Sequence, residues 1–212
     1  MGEGGVTFSS PKEPWARREG CRLRWPSCAD VSMREDMEHV PPKVVVRPEE
    51  PDDHDAVYCV SQLAFGRRDE ADLVDRLRAA GKAIVSLVAA DAGRIVGHIL
   101  FSPVSVKSSG ADCSAVGLAP MAVLPNRQRQ GIGSFLVRRG LDECRRLGHE
   151  RVVVLGHPEY YGRFGFLPAS RVGIRCEYDA PEGAFMVVEL RPGALNGCAG
   201  TAVYAPEFGG LE

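Results

Sequence analysis

Seven consecutive residues carry the clearest chemistry in this chain: Gln128, Arg129, Gln130, Gly131, Ile132, Gly133 and Ser134. Two glycines two apart lead straight into an amphipathic run, the pattern of a helix start whose main chain must meet an anion. The first turn of a helix leaves its N–H groups without internal partners, and the peptide dipoles add partial positive charge there. Gly131 and Gly133 lack the side chains that would keep a phosphate off those groups. Arg127 and Arg129 add cationic charge just upstream. The dipole alone is worth about 0.3–1 kcal/mol, so a fan of N–H donors must supply most of the grip. A pyrophosphate, with several acceptor oxygens, matches that demand. Just before the loop, Pro120 interrupts an apolar run and removes one ladder N–H. It predicts an edge, a bulge or a place where strand pairing stops. Met121, Ala122 and Val123 then keep backbone groups that a ligand with amides can use as if it were a strand.

Those groups need a strand before the loop and a helix after it. Residues 114–123 read as the strand. Beyond the loop, small or apolar residues recur at Gly133, Leu136, Val137, Gly140, Leu141, Cys144 and Leu147, one helical face, and Gly148 is the expected C-terminal glycine. Residues 151–155, RVVVL, read as a buried strand. Strand, helix and strand make a βαβ unit, which is nearly always right-handed with parallel strands. Upstream, residues 44–46 are β-rich, and Pro51, Asp52 and Asp53 give helix-start chemistry. Ala56, Val57, Val60, Leu63 and Ala64 form one helical face. A second helix is predicted over 69–80, then strands over 84–90 and 95–106 about an Asp91-Ala92-Gly93-Arg94 turn. Downstream, 172–177 and 185–190 read as a closing pair of strands, and the tail from residue 192 as a packed loop.

Strand, Gln128-x-x-Gly131-x-Gly133 and helix together resemble the coenzyme A motif of the GNAT superfamily of N-acetyltransferases. Tyr161-Gly162-Arg163-Phe164-Gly165-Phe166 is similar to the family's Tyr-x-x-x-Gly-Phe segment. The element order β-α-α-β-β-β-α-β-α-β-β over residues 43–190 resembles the GNAT fold independently of the glycines. GHPEYYGRFGF with the later ELRPGAL looks like a branch of small bacterial acetyltransferases. The resemblance implies an α/β (α+β) fold: a central mixed, largely antiparallel sheet with a splayed parallel strand pair, flanked by helices.

It also implies acetyl-CoA as cosubstrate and no metal. Met121 and Val123, with Ala122 between them, would hold pantetheine through the backbone. Gln128, Arg129, Gln130, Gly131, Ile132, Gly133 and Ser134 would hold the pyrophosphate. Tyr161 matches the family's general acid, which protonates the departing thiolate while a primary amine attacks directly in a ternary complex. A free tyrosine has a pKa of about 10, so it can donate at neutral pH, and such acids contribute roughly 10²–10⁴-fold. Packing against the coenzyme is the other role open to Tyr161, and Tyr160 is expected to be structural. Some relatives place a glutamate on the motif strand, but Ala119 and Met121 offer no carboxylate. Glu70, His98, His157 and a water chain stay open as the base.

Composition bounds these readings. At 212 residues, 44% hydrophobic and 25% charged, the chain suits one globular domain. A net charge of −2 gives no reason to expect nucleic acid or an anionic membrane as partner. No apolar run is long enough to span a bilayer, and the N-terminus has no signal-peptide apolar core. Seven scattered cysteines without metal spacing suit reduced thiols in the cytoplasm. Residues 1–42 lack apolar periodicity and read as a disordered extension. Met33 or Met37 is an alternative start, and 43–212 is the acetyltransferase domain. The acceptor amine is not encoded in any recognisable pocket, and a homodimer is expected because family members commonly dimerise. The alternatives are a non-catalytic acyl-CoA sensor on the same fold and another nucleotide-binding α/β protein. The latter lacks the Gly-x-x-x-x-Gly-Lys-Ser/Thr signature.

Overall fold

The computed structural model describes residues 43–209. The expected extension over residues 1–42 lies outside the described residues. Chain order is β1 (Val44–Pro48), α1 (His54–Phe65), α2 (Asp69–Ala79), β2 (Val85–Asp91), β3 (Arg94–Lys107), β4 (Cys113–Val123), α3 (Ile132–Arg146), β5 (Arg151–Leu155), α4 (Pro158–Tyr161), β6 (Leu167–Pro168), β7 (Ile174–Cys176), β8 (Phe185–Glu189) and β9 (Gly200–Tyr204). The strands form one mixed sheet in the order β1-β2-β3-β4-β5-β8-β6, and β9 pairs with β3 and β7. The pairs β4–β5 and β7–β9 are parallel and the others antiparallel.

Alternation along the strands divides the interior into two cores. Ile99 and Phe101 of β3 join Leu136, Val137 and Leu141 of α3. Leu100 and Val104 join Val57 of α1 and Leu73, Val74 and Leu77 of α2 on the opposite face. Gly140 lets α3 lie close to the sheet, because a Cβ there would stand 2.3 Å from the Phe101 ring. The α3 face is the one expected, except that Leu147 is 45% exposed. On α1, Leu63 is 60% exposed while Ser61 is fully buried, so the face that packs is turned from the one expected.

Two expectations fail downstream. The strand at 174–176 does not pair with the one at 185–189. β8 lies between β5 and β6, and β7 pairs with β9. The tail is not all loop, since β9 runs through it. β3 is 14 residues long and β2 only 7, so β3 outruns β2 and exposes an edge. Thr201–Tyr204 cover that edge by pairing with Val104–Lys107. Arg151, 9% exposed, fixes the start of the parallel pair. Its Nη1 donates to the Ser114 carbonyl at 2.7 Å and its Nε to the Ala194 carbonyl at 3.0 Å. Cys59, Cys113, Cys144, Cys176 and Cys198 are free thiols. Among the described residues, no helix is long and apolar enough to cross a membrane.

Candidate active site

β4 and β5 pair at only two positions, Val116 with Val152 and Gly117 with Val153. Beyond them β4 continues to Val123, while β5 keeps to β8 as far as Leu155 opposite Phe185. The two parallel strands therefore part, and a gap opens between them. Pro120 lies in a bulge, since β4 uses one more residue than β3 between the pairs Ile99–Met121 and Phe101–Leu118.

The ladder beyond the bulge decides which backbone groups face the gap. Leu124 N–H donates to the Val96 carbonyl at 2.9 Å, and Gly97 lies opposite Val123. In antiparallel alternation this makes Gly97–Val123 a non-bonded pair and His98–Ala122 a bonded one. Ala122 thus turns its N–H and C=O to β3. Met121 and Val123 turn theirs to the gap. The Val123 carbonyl accepts from Gln128 Nε2 at 3.1 Å, which braces the loop against the strand end.

The loop itself is held from outside. Arg127 forms an ion pair with Asp91 at 2.6 Å, and its Nε donates to Gln130 Oε1 at 3.1 Å. Arg127 is therefore an anchor, and Arg129, exposed with φ 60°, is the loop's forward cation. A non-glycine residue at positive φ is strained. Gly131 takes φ 77° as the residue before α3, and no side chain caps the helix. The first helical bond from this loop is Phe135 N–H to the Gly131 carbonyl at 2.9 Å. Among the described residues, no main-chain N–H from 128 to 134 reaches a protein acceptor. Seven consecutive donors are left at the mouth of the gap.

The two tyrosines divide the opposite wall. Tyr161 is 8% exposed and packs edge-on to Tyr160 and Phe166, at 5.0 and 5.6 Å between ring centroids. Its ring covers Gly156, where a Cβ would stand 2.4 Å from Tyr161 Cε2. Gly156 thus sets the tyrosine against the end of β5, and only a glycine directly after a strand signalled it. Burial pushes the Tyr161 phenol well above the ordinary tyrosine value, so it is protonated at neutral pH. Tyr160 is less buried, and its hydroxyl lies 2.8 Å from where a Gly133 Cβ would be. Burial raises the Tyr160 pKa, and the neighbouring Ser134 side chain offsets that in part. Tyr160 reaches the glycine loop itself, which its expected structural role did not include.

Each side chain considered as a base has a defined place. Glu70 is 8% exposed and gripped by Arg67, whose Nη2 lies 2.5 Å from Oε1. His98 is fully buried, and its Nε2 lies 2.8 Å from Ser86 Oγ. The Ser86 hydroxyl gives its one proton to Glu49 Oε2 at 2.5 Å, so its oxygen accepts from His98 Nε2–H. Glu49 Oε1 accepts from Arg78 Nη2 at 2.5 Å. Burial lowers the His98 pKa from 6.5 to about 4, offset in part by Glu49, so the ring is neutral. His98 belongs to this closed network beneath α1 and α2 and does not open on the gap. His157 is exposed at the start of α4, and its carbonyl accepts the N–H groups of Tyr160 and Tyr161 at 3.0 Å each. Among the described residues, no cluster of His, Cys, Asp or Glu is arranged to hold a metal.

Comparison with known proteins follows the same lines. A family model described as an acetyltransferase (GNAT) domain matches residues 45–169. YhbS of Escherichia coli K12, described as an uncharacterized N-acetyltransferase, is 39% identical over 166 residues, 78% of this chain and 98% of YhbS. The crystal structure of E. coli YhbS in complex with CoA is similar at TM-score 0.76 and 37% identity, covering 82% of this chain and 98% of that one. A GNAT acetyltransferase from Brucella melitensis in complex with acetyl-CoA is similar at TM-score 0.64 and 35% identity, covering 78% and 97%. The splayed strands, the uncapped helix and a family match across more than half the chain lead to one conclusion: this chain belongs to the GNAT family of acetyltransferases.

Proposed function

We propose that this protein transfers an acetyl group from acetyl-CoA to a primary amine by direct attack in a ternary complex. The run of unpartnered main-chain N–H groups from 128 to 134 at the mouth of the β4–β5 gap carries this reading. A pyrophosphate accepts from those groups, and the pantetheine arm runs down the gap beside the Met121 and Val123 backbone. The CoA and acetyl-CoA complexes of the two similar proteins support this choice of cosubstrate.

In the reaction the neutral amine nitrogen forms a bond to the thioester carbonyl carbon. Negative charge gathers on the carbonyl oxygen, and a gap-facing N–H of β4 is suited to stabilise it. The carbon–sulfur bond then breaks, and Tyr161 gives its phenolic proton to the thiolate. The phenol carries its proton at neutral pH, as that task requires, while burial makes it a weaker acid until the thiolate forms beside it, and Tyr161 makes no hydrogen bond to another described residue that would have to be broken first. The amine's own proton leaves through water and restores the Tyr161 phenolate, since Glu70 and His98 are both engaged elsewhere and the His157 side chain is exposed at the start of α4.

That engagement also favours a second reading, an acyl-CoA sensor that binds without turnover. Acetyl-CoA-dependent thiol release, screened over amines, polyamines, amino acids and peptide N-termini, separates the two. Turnover with any amine supports the enzyme. Tight coenzyme binding with no turnover across the panel supports the sensor, and no binding refutes both.

A further inference from the structure

Arg163 lies in the turn just after α4, outside the glycine loop, yet it reaches the same place. Its guanidinium carbon sits 4.6 Å from the centre of the Tyr160 ring and 5.6 Å from that of Phe164. Its Nε donates to the Tyr160 carbonyl at 3.3 Å, and its Nη2 stands 3.5 Å from Ser134 Oγ, in the first turn of α3. Tyr160 in turn places its hydroxyl over Gly133. Stacking engages the face of a guanidinium, while its N–H groups radiate in the plane, in a fork that matches phosphate oxygens. An arginine seated over one wall is therefore ordered in advance, with its Nη2 toward the first turn of α3 on the other.

We infer that Arg163, held on Tyr160, is a second phosphate-binding arm that closes on the coenzyme from the α4 side, opposite the glycine loop. The inference rests on the acetyl-CoA reading and adds to it a residue that the Gln-x-x-Gly-x-Gly pattern does not contain. Two phosphates of the coenzyme are within this chemistry, the pyrophosphate and the 3′-phosphate of the adenosine. Either takes a planar, charge-assisted pair of hydrogen bonds.

The test is calorimetric titration of the full chain with acetyl-CoA and with its 3′-dephospho form, at low and at moderate salt. Arg163→Ala should weaken acetyl-CoA binding about tenfold and lower its salt sensitivity, with the melting temperature unchanged because Arg163 is exposed. Arg163→Lys should recover part of the loss. Arg163→Gln, which keeps a planar group without the charge, should not. Equal loss with both forms supports contact with the pyrophosphate. Loss confined to the 3′-phosphorylated form supports contact with the 3′-phosphate. An Arg163→Ala protein within twofold of wild type on both forms overturns the inference alone. A wild type that binds neither form overturns the coenzyme reading as well.

Discussion

Two polar regions flank β3 and β4, and they differ in what they leave undone. Under α1 and α2, Arg78, Glu49, Ser86 and His98 form a chain in which nearly every group has its partner. The exceptions are Arg78 Nε and His98 Nδ1. In the loop that follows β4, seven successive N–H groups have none. Buried polar groups are normally satisfied, so a satisfied network stabilises the fold, whereas a row of main-chain donors without protein partners is open to a ligand, as proposed above. The histidine and glutamate in the first region have the residue types of catalysis and the environment of structure. The glycines in the second have no side-chain chemistry and lie among open main-chain donors.

Substitutions can break this contrast from either side. The largest effect is expected at Tyr161. Tyr161→Phe should lower kcat roughly 10²–10⁴-fold while leaving coenzyme affinity nearly intact, and steady-state turnover with separate calorimetry checks both. An unaltered rate would remove it from the acid role. In the closed network, Glu49→Ala leaves Arg78 without its buried partner and should cost about 3–5 kcal/mol of stability in a denaturant titration. Coenzyme affinity of the folded fraction should not move. At the loop, Gly131→Asp brings negative charge and a side chain to the residue that starts α3. It should weaken acetyl-CoA binding by about 100-fold or more. Unchanged affinity there would contradict the phosphate assignment.

The smallest effect sharpens the contrast through pH. His98 has a folded pKa of about 4 against an ordinary 6.5. Between those values the unfolded chain binds a proton that the folded chain excludes. Its contribution to stability is whole above pH 6.5 and is lost as pH falls toward 4. From pH 7.5 to 5.5 the loss is roughly 1 kcal/mol. His98→Gln should flatten that part of the stability curve relative to wild type, and an unchanged slope would show that His98 does not exclude the proton.

The glycine loop was legible because its requirement is local. A chain that turns at positive φ straight into a helix needs a glycine at that point, and Gly131 declares the start of α3. Pro120 was legible in the same way, as a missing donor in a strand. Tyr160 was not, because the approach of its hydroxyl to Gly133 depends on how α4 packs beside α3, a relation between residues 27 apart. β9 was missed for a similar reason. Its five residues, GTAVY, carry little strand signal of their own, and what recruits them is the edge left where β3 outruns β2. Leu63 misled because a helical stripe gives two neighbouring faces, and only the tertiary packing chose the one with Ser61.

The central claim concerns main-chain amides, so it is best tested on them. Backbone amide shifts and hydrogen exchange of isotope-labelled protein, followed through an acetyl-CoA titration, report each one. The amides of residues 129–134 and those of Met121 and Val123 should shift and gain protection together, while Ala122 and His98, already bonded across the ladder, stay as they were. Saturation by the coenzyme with the 129–134 amides unmoved would contradict the account.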